Sequence, residues 1–351
     1  MRRSPSWWPA RLAPHLVFLI PELIMAAGPF VIETVGSNAG RAKFRMPDFF
    51  YGGQALIEGV MMRGRTTVAM SVRPASGEIV TYAEPLPRAL TSGRWTKTPF
   101  MRGIFVLYET LVLGTRMLMR SAAIAAEGED IQIGRGTMVA TMVFSLGFAV
   151  VLFFLLPLFL STFAESAVES DLLANLVEGL IRLVIFIAYI GLIGLMEDIK
   201  RVFAYHGAEH KAISANEARR PLTPEEVDRF STAHTRCGTT FILIVVVISI
   251  FFFSLIPRAG VPLPLLFLSR IVLVPVIAAV AYELVRFGAS HYGNRVVRAI
   301  YAPGLWLQSL TTRPPDRSML EVSIASLESC LTADREAQAA AAEAAPATPP
   351  A

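Results

Sequence analysis

Residues Met138 to Phe163 read MVATMVFSLGFAVVLFFLLPLFLSTF, without a single Asp, Glu, Lys or Arg. A helix needs about 20 consecutive apolar residues to cross a bilayer core, so this stretch decides the fold class: an α-helical multi-pass membrane protein. Three further runs have the same character, Leu176–Met196, Thr240–Ile256 and Leu263–Phe287, which predicts four spans within residues 138–287. Composition agrees. Of the 351 residues, 54% are hydrophobic and 17% charged, with a mean hydropathy of +0.52. Ordinary soluble domains carry about 25% charged residues, which excludes a freely soluble enzyme. A formal charge of +4 without a basic cluster gives no indication of a nucleic-acid partner. The two cysteines, Cys237 and Cys330, argue against a disulfide framework and leave Cys237 free for other chemistry.

The loops orient the spans. Glu165, Glu169 and Asp171 lie between the first two runs with no Lys or Arg, and the turn Pro257–Pro262 between the last two has only Arg258. The middle loop, residues 197–239, holds Lys200, Arg201, Lys211, Arg219, Arg220, Arg229 and Arg236. Positive-inside bias therefore places this loop and both termini in the cytoplasm, with the protein in the cell membrane.

Outside the spans, residues 46–98 read as a small cytoplasmic β-rich unit. Thr67–Val72 and Glu78–Tyr82 alternate and flank Pro74-Ala75-Ser76-Gly77, a hairpin signature. Residues 99–127 suit a helix on which Arg102, Glu109, Arg116 and Arg120 form one charged stripe, lying in the membrane interface or turned toward a polar cavity. Residues 288–331 form a cytoplasmic segment with a helix at Asp316–Leu331, and the Ala/Pro-rich residues 332–351 read as a disordered tail. Residues 1–45 are an atypical extension: Leu16–Ile32 is apolar but interrupted by Pro21 and Glu22, which suits a weak extra span, a signal peptide or a start at Met46.

Three of the five histidines sit in the middle loop, in Tyr205-His206-Gly207-Ala208-Glu209-His210-Lys211 and His234-Thr235-Arg236-Cys237-Gly238. On a helix, His206 and His210 share a face with Glu209 beside them. This is the H-x-x-E-H order of the inverted zincins, in which two imidazoles hold zinc and the carboxylate handles a proton. His234 and Cys237 add a second pair, and an imidazole–thiolate set suits zinc among the common divalent metals. Thr223-Pro224-Glu225-Glu226 has a capping-box pattern that starts a short return helix, folding the second pair onto the first. If all four bind, the metal is structural; if one stands back, Glu209 becomes a general base. Inverted zincins take a Glu from downstream, for which Glu283 is the candidate; an ion pair with Arg286 is its structural alternative. The plain alternative for the whole group is loop histidines satisfied by hydrogen bonds.

Two more polar sets stand out. Glu178, Arg182 and Arg270 occupy similar depth in the second and fourth spans, either tying helices together or forming a basic pocket for an anionic headgroup. In Gly52-Gly53-Gln54-Ala55-Leu56-Ile57-Glu58-Gly59-Val60-Met61-Met62-Arg63-Gly64 the glycines suit tight turns and no phosphate-loop ending is present, while Gln54 or Glu58 approaches the loop site.

With that Gly-rich segment and the two loop motifs, Tyr282-Glu283-Leu284-Val285-Arg286-Phe287 and Ala302-Pro303-Gly304-Leu305-Trp306-Leu307-Gln308 complete a set spanning about Phe50 to Leu331. In these residues the chain resembles the YqhQ-like bacterial membrane proteins, domain of unknown function 1385. The resemblance implies a predicted metal-dependent enzyme but brings no established reaction. Residues 1–45 and the Ala/Pro tail depart from the family pattern. The reading is thus a zinc-dependent, hydrolytic enzyme acting at the cytoplasmic face on a membrane-associated substrate. A non-catalytic scaffold or carrier with a structural metal is the alternative.

Overall fold

The computed structural model describes residue 49 and residues 51–86, 98–126, 135–165, 170–234, 236–258, 260–291 and 293–343. Expectations for residues 1–45 fall outside these residues, as does the end of the tail.

Four antiparallel strands come first, β1 (Gly52–Leu56), β2 (Gly59–Arg63), β3 (Thr67–Val72) and β4 (Val80–Pro85), paired in sequence order. The β3–β4 hairpin closes through Gly77, whose N–H donates to the Pro74 carbonyl at 2.9 Å and whose φ of 90° suits a residue without a side chain. Its second strand starts two residues later than expected, with Val72 opposite Val80. The Gly-rich segment supplies β1 and β2 themselves, not only turns.

Among the described residues ten helices follow. They are α1 (Met101–Ala125), α2 (Arg135–Val150), α3 (Leu156–Glu165), α4 (Asp171–Ile193), α5 (Glu197–Glu217), α6 (Pro224–Val227), α7 (Gly238–Ser254), α8 (Leu263–Ser290), α9 (Arg295–Thr311) and α10 (Arg317–Glu343). A π turn, Val151–Leu155, joins α2 to α3.

Three segments are long and apolar enough to cross a membrane: Val143–Phe163, Asp171–Ile193 and Leu263–Gly288. Their outward faces carry Val143, Phe144, Leu180, Val184 and Val272, all exposed, a surface suited to lipid and not to water. The expected fourth span is the shorter α7, with 17 residues, or about 25 Å at 1.5 Å per residue. The second span begins earlier than hydropathy suggested, because Ser170 caps it: its Oγ accepts from the Leu173 N–H at 3.1 Å.

The sheet lies between helices. On one face Leu56, Met61, Val68 and Met70 pack against Leu113, Met117 and Leu118 of α1. On the other, Ala55, Val60, Met62 and Ala69 meet Ala204 and Ala208 of α5 and Leu320 and Leu327 of α10. The charged stripe of α1 is therefore bound to other elements of the protein, with Glu109 buried and Arg116 and Arg120 exposed at its far end. Arg102 pairs with Glu283, Glu109 with Arg63, Arg116 with Glu84, and the Arg120 guanidinium lies 3.4 Å from the Tyr82 ring centre.

The tail expectation needs correction up to Glu343, because α10 runs that far. Asp334 is fully buried and accepts from the N–H groups of Arg65 and Thr66 and the hydroxyls of Thr66 and Thr67. An Ala-rich run is a strong helix former once one end is anchored.

Candidate metal centre

Helix α5 carries His206, Glu209 and His210, all buried, with the two imidazole centres 4.4 Å apart on one face. Two contacts explain why this helix tolerates so polar a face. Residues 311–313 run beside α5: the Arg313 N–H donates to the Phe203 carbonyl at 2.9 Å, and the Arg313 carbonyl lies where a Cβ on Gly207 would project. The strand β1 presses from the other side, where a Cβ on Gly53 would meet Glu209 Cγ at 2.5 Å. Both glycines are read from motifs, and each is required by a close approach of another element.

The return helix brings the second pair in, as its position in the loop predicts. Pro224 opens α6, but no capping box forms. Thr223 makes no side-chain cap, and Glu226 is held instead by Arg220 at 2.8 Å and Arg229 at 2.7 Å. Cys237 is the N-cap of α7, with its Sγ accepting from the Thr239 N–H at 3.5 Å.

His206, His210 and Cys237 each offer one ligand atom, and these atoms lie within 4.8 Å of one another. Cys237 Sγ is 3.3 Å from His206 Nε2. Zinc bound at about 2.3 Å to sulfur and about 2.0 Å to nitrogen separates its ligands by roughly 3.5 Å, so the donor set fits a metal ion. The tautomers fit as well. His206 Nδ1 lies 2.9 Å from the Thr311 carbonyl and His210 Nδ1 2.5 Å from the Thr232 carbonyl. A carbonyl only accepts, so Nδ1 carries the hydrogen and Nε2 keeps its lone pair for a ligand, the outer-sphere arrangement typical of metal-binding histidines. Burial lowers the basicity of all three loop histidines, His210 to about 4, with the Glu209 charge opposing it at His206 and His234. The neutral imidazole that burial favours is the form that binds a metal.

Glu209 is the remaining acid at the group, its Oε2 3.5 Å from His210 Nε2. Burial pushes its carboxyl above the usual carboxylate range, opposed by His206, His234, Arg236 and the Gly53 N–H, which donates to it.

The other predicted residues lie around or away from this group. The His234 ring centre is 5.4 Å from that of His210, but its Nε2 faces Arg236 at 3.3 Å and Glu217 at 3.7 Å. Glu283 is engaged by Arg102 and the Phe100 N–H, apart from the cluster and not paired with Arg286. Gln54 turns from Glu209 toward Gly114 of α1, and neither of its amide atoms has a hydrogen-bond partner among the described residues. Glu58 pairs with Arg201, earlier on α5. Glu178, Arg182 and Arg270 meet near the opposite ends of α4 and α8.

Residues that sequence reasoning left unassigned hold the site in place. Gln308 clamps the backbone of His234 from both sides, accepting from its N–H at 2.9 Å and donating to its carbonyl at 2.8 Å. Arg236 pairs with Glu217. Gln308 and Gly53 both sit in motifs whose spacing carried the family resemblance, which was the available signal.

Fold and site together define a mostly helical protein, with three segments long and apolar enough to cross a membrane and a small sheet docked over a buried His/Cys group. The chain belongs to the family described as "Protein of unknown function (DUF1385)", which matches residues 98–333. It is 32% identical over 294 residues to "Uncharacterized protein YqhQ" of Bacillus subtilis (strain 168), covering 80% of this chain and 92% of that one. No solved structure matches it significantly.

Proposed function

We propose that this chain is a metal-dependent hydrolytic enzyme of the cell membrane, with zinc or a similar divalent ion held by His206, His210 and Cys237. One observation carries the reading. Both histidines commit Nδ1 to backbone carbonyls, which turns both Nε2 atoms toward Cys237 while His234 stands back. Three protein ligands leave a fourth position, the mark of a catalytic and not a structural site. A bound divalent metal supplies Lewis-acid activation of a nucleophile there. Glu209, adjacent to His210 and held above its usual range, takes and returns the proton; a base works best with a pKa near the working pH. Gly53 fixes its carboxylate by an N–H and by the space that its missing side chain leaves.

In this reading α7 is the fourth crossing, since it packs between the spans α4 and α8 and connects the same two ends of the bundle. Both termini, the sheet and the metal centre then lie in the cytoplasm, and the substrate is a membrane-associated ester, amide or phosphoester. A second reading, a scaffold or carrier whose metal only clamps the loop, draws on the near-complete burial of the four site residues.

Substituting Glu209→Gln separates the two. The enzyme reading expects full metal content with hydrolysis of aryl ester and aryl phosphoester probes abolished. Unchanged hydrolysis by a metal-replete variant, or no metal-dependent hydrolysis in wild type, counts for the scaffold.

A further inference from the structure

At the other end of the bundle a second polar cluster is buried within the spans. Glu178, Arg182 and Arg270 have 1%, 4% and 0% of their surfaces exposed. Arg182 Nη2 donates to Glu178 Oε1 at 2.5 Å, and Arg270 Nη2 donates to Oε2 at 2.8 Å. Arg258, from the turn after α7, adds a third guanidinium, with its Nη1 3.0 Å from the same Oε2. Asn175 Oδ1 accepts from Arg270 Nη2 at 3.0 Å, and Ser161 Oγ accepts from Arg258 Nη2 at 3.0 Å.

Two features do not fit a purely structural tie. The first is charge. Glu178 is the sole carboxylate in α4 after Asp171, α7 has none, and Glu283 of α8 is held by Arg102 at the far end. With Arg258 set beside Asp171, whose Oδ2 accepts from its N–H at 3.0 Å, Arg182 and Arg270 share Glu178 as the one carboxylate paired with them among the described residues, leaving a positive charge at a depth where unpaired charges are costly. The second is an unmet donor: Arg182 Nη1 is buried and has no hydrogen-bond partner among the described residues. The backbone is also adapted to this arginine. The π turn at Val151–Leu155 presents the Phe153 carbonyl to Arg182 Nε at 2.9 Å, and such turns concentrate at functional sites. The Phe253 ring covers another side, its centre 4.9 Å from the Arg182 guanidinium and 4.6 Å from that of Arg270.

We infer that Arg182, with Arg270, forms a binding site for one phosphate-type oxyanion. A planar guanidinium fork matches that group in shape, which a lysine does not. Such an anion balances the excess charge and accepts from Arg182 Nη1. Arg270 lies seven residues into α8, about 10 Å from the helix start at 1.5 Å per residue, within reach of the nearer membrane surface. Either a phospholipid headgroup or free phosphate supplies the same chemistry.

The full chain, purified in mild detergent, is assayed for retained phospholipid and for the rise in thermal midpoint caused by inorganic phosphate. It is then compared in nanodiscs of phosphatidylglycerol and of phosphatidylcholine. Arg182→Met removes the unmet donor and one of the three guanidiniums and leaves the Glu178–Arg270 pair, while Arg182→Lys keeps charge without the fork. Phosphatidylglycerol retained by wild type and lost in Arg182→Met identifies a lipid source. A phosphate-induced rise confined to wild type, at least about tenfold weaker in Arg182→Lys as expected for losing a charge-assisted bond, identifies a free anion. Phospholipid retained equally by wild type and variants is annular only. A wild type that does not respond to phosphate and holds either no phospholipid or only this annular lipid overturns the site, whether or not the variants fold.

Discussion

The two buried polar clusters flank α7, with Cys237 at its start and Arg258 in the turn after its end, and solve burial differently. Around His206 and His210 burial disfavours the charged imidazoles, and backbone carbonyls from Thr311 and Thr232 meet their outward nitrogens. Around Glu178 the groups are charged, and guanidinium groups outnumber the carboxylate. The first arrangement spares lone pairs for a cation; the second spares N–H donors for an anion. Burial alone says little about function. The sign of what is left over says more.

The comparison breaks most visibly at Glu178. Glu178→Gln leaves buried guanidiniums without their carboxylate and is expected to destabilise the protein by about 3–5 kcal/mol, as when one partner of a buried pair is lost. Unfolding in detergent measures this, and a loss under about 1 kcal/mol would show that the cluster is hydrated. Next in size is Gly53→Ala. The added Cβ would fall 2.5 Å from Glu209 Cγ, so the carboxylate must move. Hydrolytic activity is expected to fall at least about tenfold, a shift of 1.4 kcal/mol in the barrier, while metal content stays whole. Loss of metal along with activity would instead make Gly53 a fold residue.

The pH response sharpens the neutral end. In the metal-free protein the three loop histidines stay neutral when folded, His210 down to about 4, and gain protons when unfolded near 6.5. Stability is therefore complete above about pH 6.5 and is lost as pH falls toward 4. Glu209, raised by burial, works the other way with one proton above its ordinary 4.5. Three imidazoles outweigh the one carboxyl, so the net loss of stability runs toward low pH. A flat thermal midpoint between pH 6.5 and 4.5 would contradict the neutral-histidine account. The smallest expected effect is Arg182→Met, which is expected to unfold within about 1 kcal/mol of wild type because Glu178 keeps Arg258 and Arg270 as partners.

What the sequence displayed was local pattern. Run lengths revealed the apolar helices, alternation and Pro74–Gly77 the hairpin, and i, i+4 spacing the shared face of His206 and His210. Partnerships across the chain were hidden. Nothing near Glu283 announces Arg102, some 180 residues earlier, and Glu109 gives no hint of Arg63. Composition misled at the tail, because alanine suits both a helix and a low-complexity tail; the Asp334 anchor to Arg65 and Thr66 decides it. At the site itself, the clustered residues His206, His210 and Cys237 were legible, while the groups that orient the side chains beside them, Thr311, Thr232 and Gly53, act through the backbone, where side-chain identity leaves little trace.

The central claim is that His206, His210 and Cys237 hold a metal ion, and metal content of the detergent-purified protein tests it most directly. Wild type, prepared without chelator, is predicted to carry close to one zinc or similar divalent ion per chain, and His206→Ala/His210→Ala none. A wild type without metal, with the double variant equally stable, would contradict the account.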